Sequence, residues 1–257
     1  FVGAGVMGGA VLRGMVAAGM PTDRLVVSVS SEKSAQAWRE EGIEVAGNAE
    51  AARGADIVVV GVKPYAMADV VAEVAGEIDG VVVSLAAGVR LETLAEAAGA
   101  GVAVMRVMPN TPALVGEGVF TLTPGEHCTD AQIEAVTALL SSCGLVERVP
   151  ESLQDATSAL SGSGPAYLFY VADALVEGGV FEGIPRPLAT RLAVQTLLGA
   201  ATMLSEGDVP AAALREQVTS PGGSTARALR ALDEGAVRHH LSRAVSAAAA
   251  HAARMGG

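Results

Sequence analysis

Short β-branched runs alternate with helix-forming stretches up to Pro150 and are absent from the rest of the chain. After Phe1 and Val2, which begin a first strand, we predict strands at residues 25–29, 56–60, 81–83 and 102–107, and helices at 10–18, 34–41, 65–78 and 91–98. The central runs are almost entirely apolar, which is typical of strands buried on both faces. Repeated strand–helix units therefore predict an α/β domain over residues 1–150, with a parallel sheet covered by helices.

Residues 151–257 predict a second, all-helical domain. Helical stretches lie at 153–176, 187–204, 225–232 and 241–255. The stretch 166–176 is apolar almost all round, with Asp173 as the exception, so it must be buried on most sides. About a hundred residues can hardly surround such a helix alone. We therefore expect this domain to bury its helices against a partner subunit.

The composition excludes several classes of protein. Hydrophobic residues make up 51% of the 257 residues and charged residues 18%, which rules out an intrinsically disordered chain. The net charge of -11 argues against binding to nucleic acid or to an anionic membrane. No apolar run approaches the ~20 residues of a membrane-spanning helix. No stretch has the pattern of a secretion signal, so we expect a cytoplasmic protein. Because Phe1 opens inside a predicted strand, we expect residues to precede it.

Metal and disulfide chemistry have little support in the sequence. Cys128 and Cys143 form no CxxC motif and no ligand cluster with the four histidines. Two scattered cysteines are typical of a reduced protein that uses them as small apolar residues. We therefore predict no metal site.

A glycine-rich loop near the start of the chain predicts a dinucleotide site. The loop follows a strand and opens a helix, and comprises Gly3, Ala4, Gly5, Val6, Met7 and Gly8. In a G-x-G-x-x-G pattern the first glycine allows a tight turn, the second lets a pyrophosphate approach the backbone, and the third allows close helix–strand packing. The helix N-terminus then supplies amide donors to the phosphates. The alternative is an ordinary turn in a chain rich in glycine.

The end of the second strand bears on the choice of cofactor. An NAD site usually has an acidic residue there, which accepts from the ribose hydroxyl. This chain instead has Ser30, Ser31 and Lys33 after Val29, and these suit a 2′-phosphate. We therefore favour NADP(H). Glu32 fits either cofactor, so NAD(H) also stays open.

Five further motifs, in a fixed order, support a family assignment. They are Val62-Lys63-Pro64 and the segments at residues 84–89, 106–112, 161–167 and 219–225. Together with the glycine-rich loop they resemble pyrroline-5-carboxylate reductase, the last enzyme of proline biosynthesis, over essentially the whole chain. The resemblance implies a Rossmann-type domain followed by a helical domain that interlocks with a second subunit, in a homodimer or a larger homo-oligomer of dimers. It also implies an active site between the cofactor of one chain and the Ser-Pro-Gly-Gly loop of its partner.

The resemblance also assigns cofactor contacts. These are Asn48 on the adenosine side, Lys63 with Val62 and Pro64 over the ribose or nicotinamide edge, Ala86, Ala87 and Gly88 beneath the ring, and Met108, Pro109 and Asn110 as a wall of the nicotinamide pocket. Three of these motifs follow predicted strands, and ligands of open α/β sheets bind at the carboxyl ends of strands. Each motif alone could equally be a simple turn.

The implied reaction passes a hydride from NADPH to the C=N carbon of Δ1-pyrroline-5-carboxylate, giving L-proline. Backbone amides at a helix start make a nest for the substrate carboxylate, formed by Ser220, Gly222, Gly223, Ser224 and Thr225. By the resemblance, the Thr225 hydroxyl contacts the imine nitrogen, and Glu206 matches a polar position near the substrate. The alternative is that Ser224 or Thr225 merely caps the helix.

Two other functions compete with this interpretation. A β-hydroxyacid dehydrogenase shares the two-domain plan but needs a lysine on the first helix of the second domain, and residues 160–177 contain none. A non-catalytic NADP sensor would have no need of a carboxylate-binding loop.

Overall fold

The computed structural model describes residues 1–255, so Gly256 and Gly257, the end of the predicted second domain, lie outside the described residues. The chain forms two compact units. Among the described residues, one unit contains 1–165 and 247–255, and the other contains Ala166–Ser246. The predicted boundary at Pro150 stays a prediction.

The first unit contains a sheet in the order of a dinucleotide-binding fold. Its strands are β1 Val26–Val27, β2 Glu44–Val45, β3 Ile57–Val60, β4 Val81–Ser84, β5 Ala103–Met108, β6 Gly118–Pro124 and β7 Gly144–Arg148. Val2 bridges Ser28, just beyond β1, and Val60 in β3, both in parallel. With Val2 counted as the first strand, the order β2, β1, Val2, β3, β4, β5 is third, second, first, fourth, fifth, sixth. This is the Rossmann order, and it confirms the predicted fold class.

One strand pair differs from the predicted parallel pattern. β6 pairs antiparallel with β5, with Arg106 opposite Thr123, whereas the other strand pairs among residues 1–255 are parallel. The connection at residues 109–117 explains the difference, because a parallel crossover needs a dozen or more residues. β6 and β7 are additions that the alternation of β-branched runs does not predict.

Helices flank the sheet and make up the second unit. They are α1 Val6–Ala17, α2 Glu32–Glu40, α3 Asn48–Ala52, α4 Met67–Ala75, α5 Leu91–Ala98, α6 Asp130–Ser141, α7 Gln154–Thr157, α8 Gly164–Phe181, α9 Arg186–Ser205, α10 Ala211–Gln217, α11 Ser224–Glu234 and α12 Val237–Met255. The helix predicted at 153–176 is observed as α7 and α8 joined by one turn with π-type hydrogen bonding at Ser158–Gly162, where the backbone stays helical. None of the helices in the described part of the chain has the length and apolarity to span a membrane.

Both faces of the sheet are buried. Val81 and Val83 belong to one apolar cluster and Val82 to another on the opposite face. This alternation of neighbouring residues between two cores explains why the strand is apolar at every position.

α8 leaves its large apolar side chains bare in the single chain. Leu168 is 61%, Phe169 69% and Tyr170 79% exposed. Val176 is the one buried residue among those described for α8. The predicted burial of residues 166–176 is therefore not achieved within one chain, as we expect for a surface that binds another subunit.

Candidate functional site

The glycine-rich loop is packed so tightly that two of its glycines admit no side chain. Gly3 has φ +80°, and a Cβ there would lie 2.5 Å from Val62 Cγ1. A Cβ at Gly8 would lie 2.9 Å from the Gly3 carbonyl oxygen. Gly5 differs, because a Cβ there would meet only the Gly3 oxygen, at 4.0 Å. Crowding within the chain thus explains the first and third glycines, while the space around the second leaves its backbone accessible to a ligand.

The N-terminus of α1 has the features of a phosphate site. Its cap residue is Gly5, no side chain caps it, and its first turn carries no acidic residue. The first amides of a helix have no acceptor within the helix, and they favour an anion. Gly5 and Val6 are exposed, Met7 is half-buried, and Ala4 lies buried beneath the loop. These residues fit the diphosphate of a dinucleotide.

The end of β1 lies beside this loop. The amides of Gly3 and Ala4 donate to the Ser28 carbonyl oxygen at 2.9 and 3.3 Å. This contact brings the predicted 2′-phosphate residues, which follow at the start of α2, to the same side of the sheet.

The charges at the start of α2 bear on the choice of cofactor. Ser31 caps α2 by accepting from the Ser34 amide at 3.2 Å, and Ser30 is exposed. The Glu32 carboxylate forms an ion pair with Arg39, with Oε1 and Nη1 2.6 Å apart. Lys33 is exposed and forms no ion pair with an acidic side chain of residues 1–255. Glu32 is therefore paired with Arg39, while Lys33 is available to an anion.

Asn48, the predicted adenosine contact, uses its side chain within the protein. Its Oδ1 accepts from the Ser28 hydroxyl at 2.5 Å, and its Nδ2 donates to Glu73 at 2.8 Å. These bonds tie α3 to the end of β1 and to α4. A direct contact between Asn48 and adenosine stays a prediction.

Three loops converge at the carboxyl ends of β3, β4 and β5. They carry the remaining predicted cofactor contacts: Val62, Lys63 and Pro64; Ala86, Ala87 and Gly88; and Met108, Pro109 and Asn110. Val60 pairs with Ser84, and Ser84 with Arg106, so these strands end along one edge. The Gly61 amide donates to the Val2 carbonyl at 2.8 Å, which places the loop after β3 beside the glycine-rich loop. The structure thus brings the predicted contacts of the first unit to one edge of the sheet.

The side chains of these loops differ in exposure. Lys63 and Pro64 are exposed, whereas Ala86 and Pro109 are buried. Asn110 is only 5% exposed. Lys63 is available to a ligand, while Ala86, Pro109 and Asn110 pack within the protein beneath this edge of the sheet.

The second unit contains the predicted substrate loop. Gly222 has φ +69°, and the Gly223 amide donates to the Ser220 carbonyl at 3.1 Å. Gly223 is the N-cap of α11, and no side chain makes a capping hydrogen bond there. The alternative that Ser224 or Thr225 caps this helix is therefore wrong, because these are its first two residues.

The start of α11 has the same features as the start of α1. No acidic residue lies in its first turn, so no negative side chain there would repel a bound anion. Glu206, the other predicted polar residue, is exposed at the end of α9. α1 and α11 thus both begin with a glycine N-cap and without an acidic residue in the first turn.

A buried polar cluster beneath β6 is not predicted from the sequence. The fully buried Gln154 accepts from the Thr121 hydroxyl at 3.1 Å and donates to the Thr123 hydroxyl at 2.8 Å. These bonds fix α7 against β6. Thr121 and Thr123 lie at alternate positions of one strand and therefore share a face. If that face is buried, its hydroxyls need a polar partner, and this pattern is the signal in the sequence for such a partner.

Comparisons with known proteins agree with this geometry. Residues 151–255 match a family model described as pyrroline-5-carboxylate reductase dimerisation, and residues 1–88 match one described as NADP oxidoreductase, coenzyme F420-dependent. The chain is 43% identical to pyrroline-5-carboxylate reductase of Corynebacterium melassecola, over 99% of this chain and 97% of that one. It is 39% identical to the Arabidopsis thaliana enzyme of the same name, over 97% and 92% of the two chains.

Solved structures give the same result. A pyrroline-5-carboxylate reductase from Coxiella burnetii has a TM-score of 0.93 at 33% identity, covering 100% of this chain and 97% of that one. Pyrroline carboxylate reductase of Plasmodium falciparum with NADP bound has a TM-score of 0.90 at 31% identity, with the same coverage. The chain belongs to the pyrroline-5-carboxylate reductase family.

Proposed function

We propose that the protein reduces Δ1-pyrroline-5-carboxylate to L-proline with NADPH as the hydride donor. The observation that carries this proposal is the 43% identity to a pyrroline-5-carboxylate reductase over nearly all of both chains. The loops before α1 and α11 support it, because Gly3 and Gly222 hold each loop in a positive-φ turn that leads into a helix start, and the reaction needs one site for a dinucleotide phosphate and one for a carboxylate.

In this proposal the cofactor, when bound, supplies a hydride to the imine carbon. The amides at the start of α1 hold its diphosphate, and Ser30, Ser31 and Lys33 hold its 2′-phosphate. A helix N-terminus stabilises an exposed anion by roughly 0.3–1 kcal/mol, more in a partly buried site. The exposed Lys33 adds a full positive charge at the other anionic group.

The substrate is held by the second unit. The amides of Ser224 and Thr225, which follow Gly223 at the start of α11, bind its carboxylate, and the Thr225 hydroxyl hydrogen-bonds to the imine nitrogen. As the hydride adds to carbon, the nitrogen takes up a proton, so a donor at this position stabilises the charge that develops. Holding the ring against the hydride donor supplies the rest of the acceleration.

The active protein is a homodimer in this proposal, with each active site shared between two chains. The exposed apolar side chains of α8 and the match to a dimerisation family support the pairing. The number of dimers in the assembly, a cytoplasmic location and the absence of a nucleic-acid partner stay predictions from the sequence.

The function is tested by following NADPH oxidation with Δ1-pyrroline-5-carboxylate and measuring the L-proline formed. We expect stoichiometric proline and no turnover of a β-hydroxy acid, because α8 carries no lysine. A protein that binds NADPH but oxidises it with neither substrate would be a sensor, and the proposal would be wrong.

Lys33→Ala tests the choice of cofactor. We expect the KM for NADPH to rise about tenfold or more with kcat little changed, because a charge-assisted contact of about 1.5–3 kcal/mol is lost. The weaker activity with NADH should stay the same, since NADH has no 2′-phosphate. Arg148→Ala removes one exposed positive charge on β7 and serves as the matched control. Equal efficiency with NADH and NADPH, unchanged by Lys33→Ala, would contradict the assignment.

A further inference from the structure

The chain between the two helices α7 and α8 forms an unusual turn. The Ser163 amide donates to the Ser158 carbonyl at 3.0 Å, a π-type bond five residues long. Such turns are rare and frequently occur at functional sites. The turn Ser158–Gly162 lies in the first unit, next to the loop after β5.

Asn110 ties this turn to the sheet. Its Nδ2 donates to the Ser161 carbonyl at 3.0 Å, and its Oδ1 accepts from the Val119 amide at 2.9 Å. Asn110 is 5% exposed, so both bonds are largely shielded from water. One side chain thereby fixes the loop after β5, the beginning of β6 and the π-type turn relative to one another.

Gly162 lies where the turn meets the end of β5. A Cβ at this position would lie 3.1 Å from Met108 Cε and 3.2 Å from Ser158 Oγ. Both distances are shorter than ordinary van der Waals contact, so even an alanine would push the methionine end or the serine aside. Because the methionine is the longer and more flexible side chain, we expect it to move.

We propose that the π-type turn sets the position of Met108 and, through it, the shape of the nicotinamide pocket, with Asn110 and Gly162 as the two positioning residues. The proposal rests on the proposed function, in which Met108 forms a wall of that pocket. Asn110 acts by fixing the turn, and Gly162 acts by leaving room for Met108. For Asn110 this role rests on its bonds to Ser161 and Val119 and is separate from its predicted place in the wall of the pocket.

Gly162→Ala tests the proposal. We expect kcat/KM for NADPH to fall about tenfold, because a small displacement at the reacting end of a cofactor is costly. The Kd for NADP⁺, measured by calorimetry, should rise. The Kd for 2′-phospho-ADP-ribose, which lacks the nicotinamide ring, should stay within about twofold of the wild-type value because its contacts lie elsewhere. Gly76→Ala is the matched control, since its φ is -77° and nothing lies within 4 Å of the added Cβ.

A double-mutant cycle separates this role from a general effect on folding. In a Met108→Leu background, whose shorter side chain lacks the Cε atom that the added Cβ would meet, Gly162→Ala should cost less than about threefold in kcat/KM. An equal cost in both backgrounds would overturn the proposal, as would equal weakening of NADP⁺ and 2′-phospho-ADP-ribose or wild-type behaviour of Gly162→Ala.

If Gly162→Ala does not fold, Asn110→Asp replaces it in the same measurements. This variant keeps an acceptor for the Val119 amide and places a buried carboxylate oxygen against the Ser161 carbonyl. The bond to the turn is thereby replaced by a repulsion, so we expect the same selective loss of NADP⁺ binding. Equal loss for both ligands would again overturn the proposal. The proposed function alone would be overturned if the variants show the selective loss of NADP⁺ binding but the wild-type protein does not reduce the pyrroline substrate.

Discussion

Phe169→Glu is expected to dissociate the protein and to lower its activity more than a hundredfold. Phe169 is 69% exposed in the single chain, between Leu168 and Tyr170 on α8. Burying a side chain of this size contributes about 1.5–3 kcal/mol, whereas an unpaired charge in a buried interface costs about 3–5 kcal/mol. In a twofold dimer each substitution occurs twice, so its effect on association is doubled. Light scattering and NADPH oxidation on the same samples measure both results.

Leu145→Glu is the matched control for this prediction. Leu145 is also an exposed apolar residue, at 56%, but it lies on β7 of the first unit. We expect it to leave the oligomer and the activity intact. A wild-type protein that is a folded, active monomer would contradict both the interlocked domain and the shared active site.

The strands β3 to β5 are predictable from the sequence because their signal is local. Each of the neighbouring residues Val81, Val82 and Val83 faces an apolar core, so the run has no polar position to obscure it. The predicted run at 81–83 consequently differs from the observed strand, Val81–Ser84, by one residue. The glycine-rich loop is predictable for a similar reason, since crowding at Gly3 and Gly8 excludes other residues.

The burial of polar residues in β6 is not predictable in the same way, because it depends on a partner from a distant part of the chain. Thr121 and Thr123 are buried, and a local pattern assigns such polar residues to the surface. Gln154 satisfies both hydroxyls from another element of the fold. The π-type turn is not predictable for a related reason, because its Ser161 carbonyl is bonded to Asn110, which lies far away along the chain.

The residues of the candidate site also fall into a predictable and an unpredictable group. Residues whose role is backbone geometry, such as Gly3 and Gly222, are visible as motifs. Whether a polar side chain faces a ligand or the protein is decided by its partners in space. Asn48 and Asn110 both use their amides within the protein, and no sequence signal predicts this.

Thr225→Ala is expected to lower kcat more than tenfold while changing substrate affinity less. The substitution removes the hydroxyl and keeps the backbone amide, so the carboxylate site survives while the imine nitrogen loses its donor. An interaction made mainly in the transition state affects kcat more than binding. General acid catalysis by one side chain typically contributes on the order of 10²–10⁴. Steady-state kinetics with varied pyrroline substrate separate the two effects.

The stability of this variant is also predictable from the geometry of α11. Loss of a capping side chain would cost about 1 kcal/mol. The N-cap is Gly223, however, and no side chain makes the capping bond, so the hydroxyl of Thr225 has no such role. We therefore expect the Tm of Thr225→Ala to stay close to that of the wild type, so that a loss of rate reports chemistry. Thr225→Ser should restore much of the rate, because it returns the hydroxyl.

The dependence on pH provides a further test of the same hydroxyl. As pH falls, a larger fraction of the substrate imine is already protonated and needs no donor, so the rate deficit of Thr225→Ala should shrink toward lower pH. The serine variant, which keeps the donor, should follow the wild-type profile. A deficit that is constant with pH would mean that the hydroxyl orients the substrate and does not donate to its nitrogen. A folded Thr225→Ala variant with wild-type kcat would mean that the proton comes from solvent or from a substrate that binds already protonated.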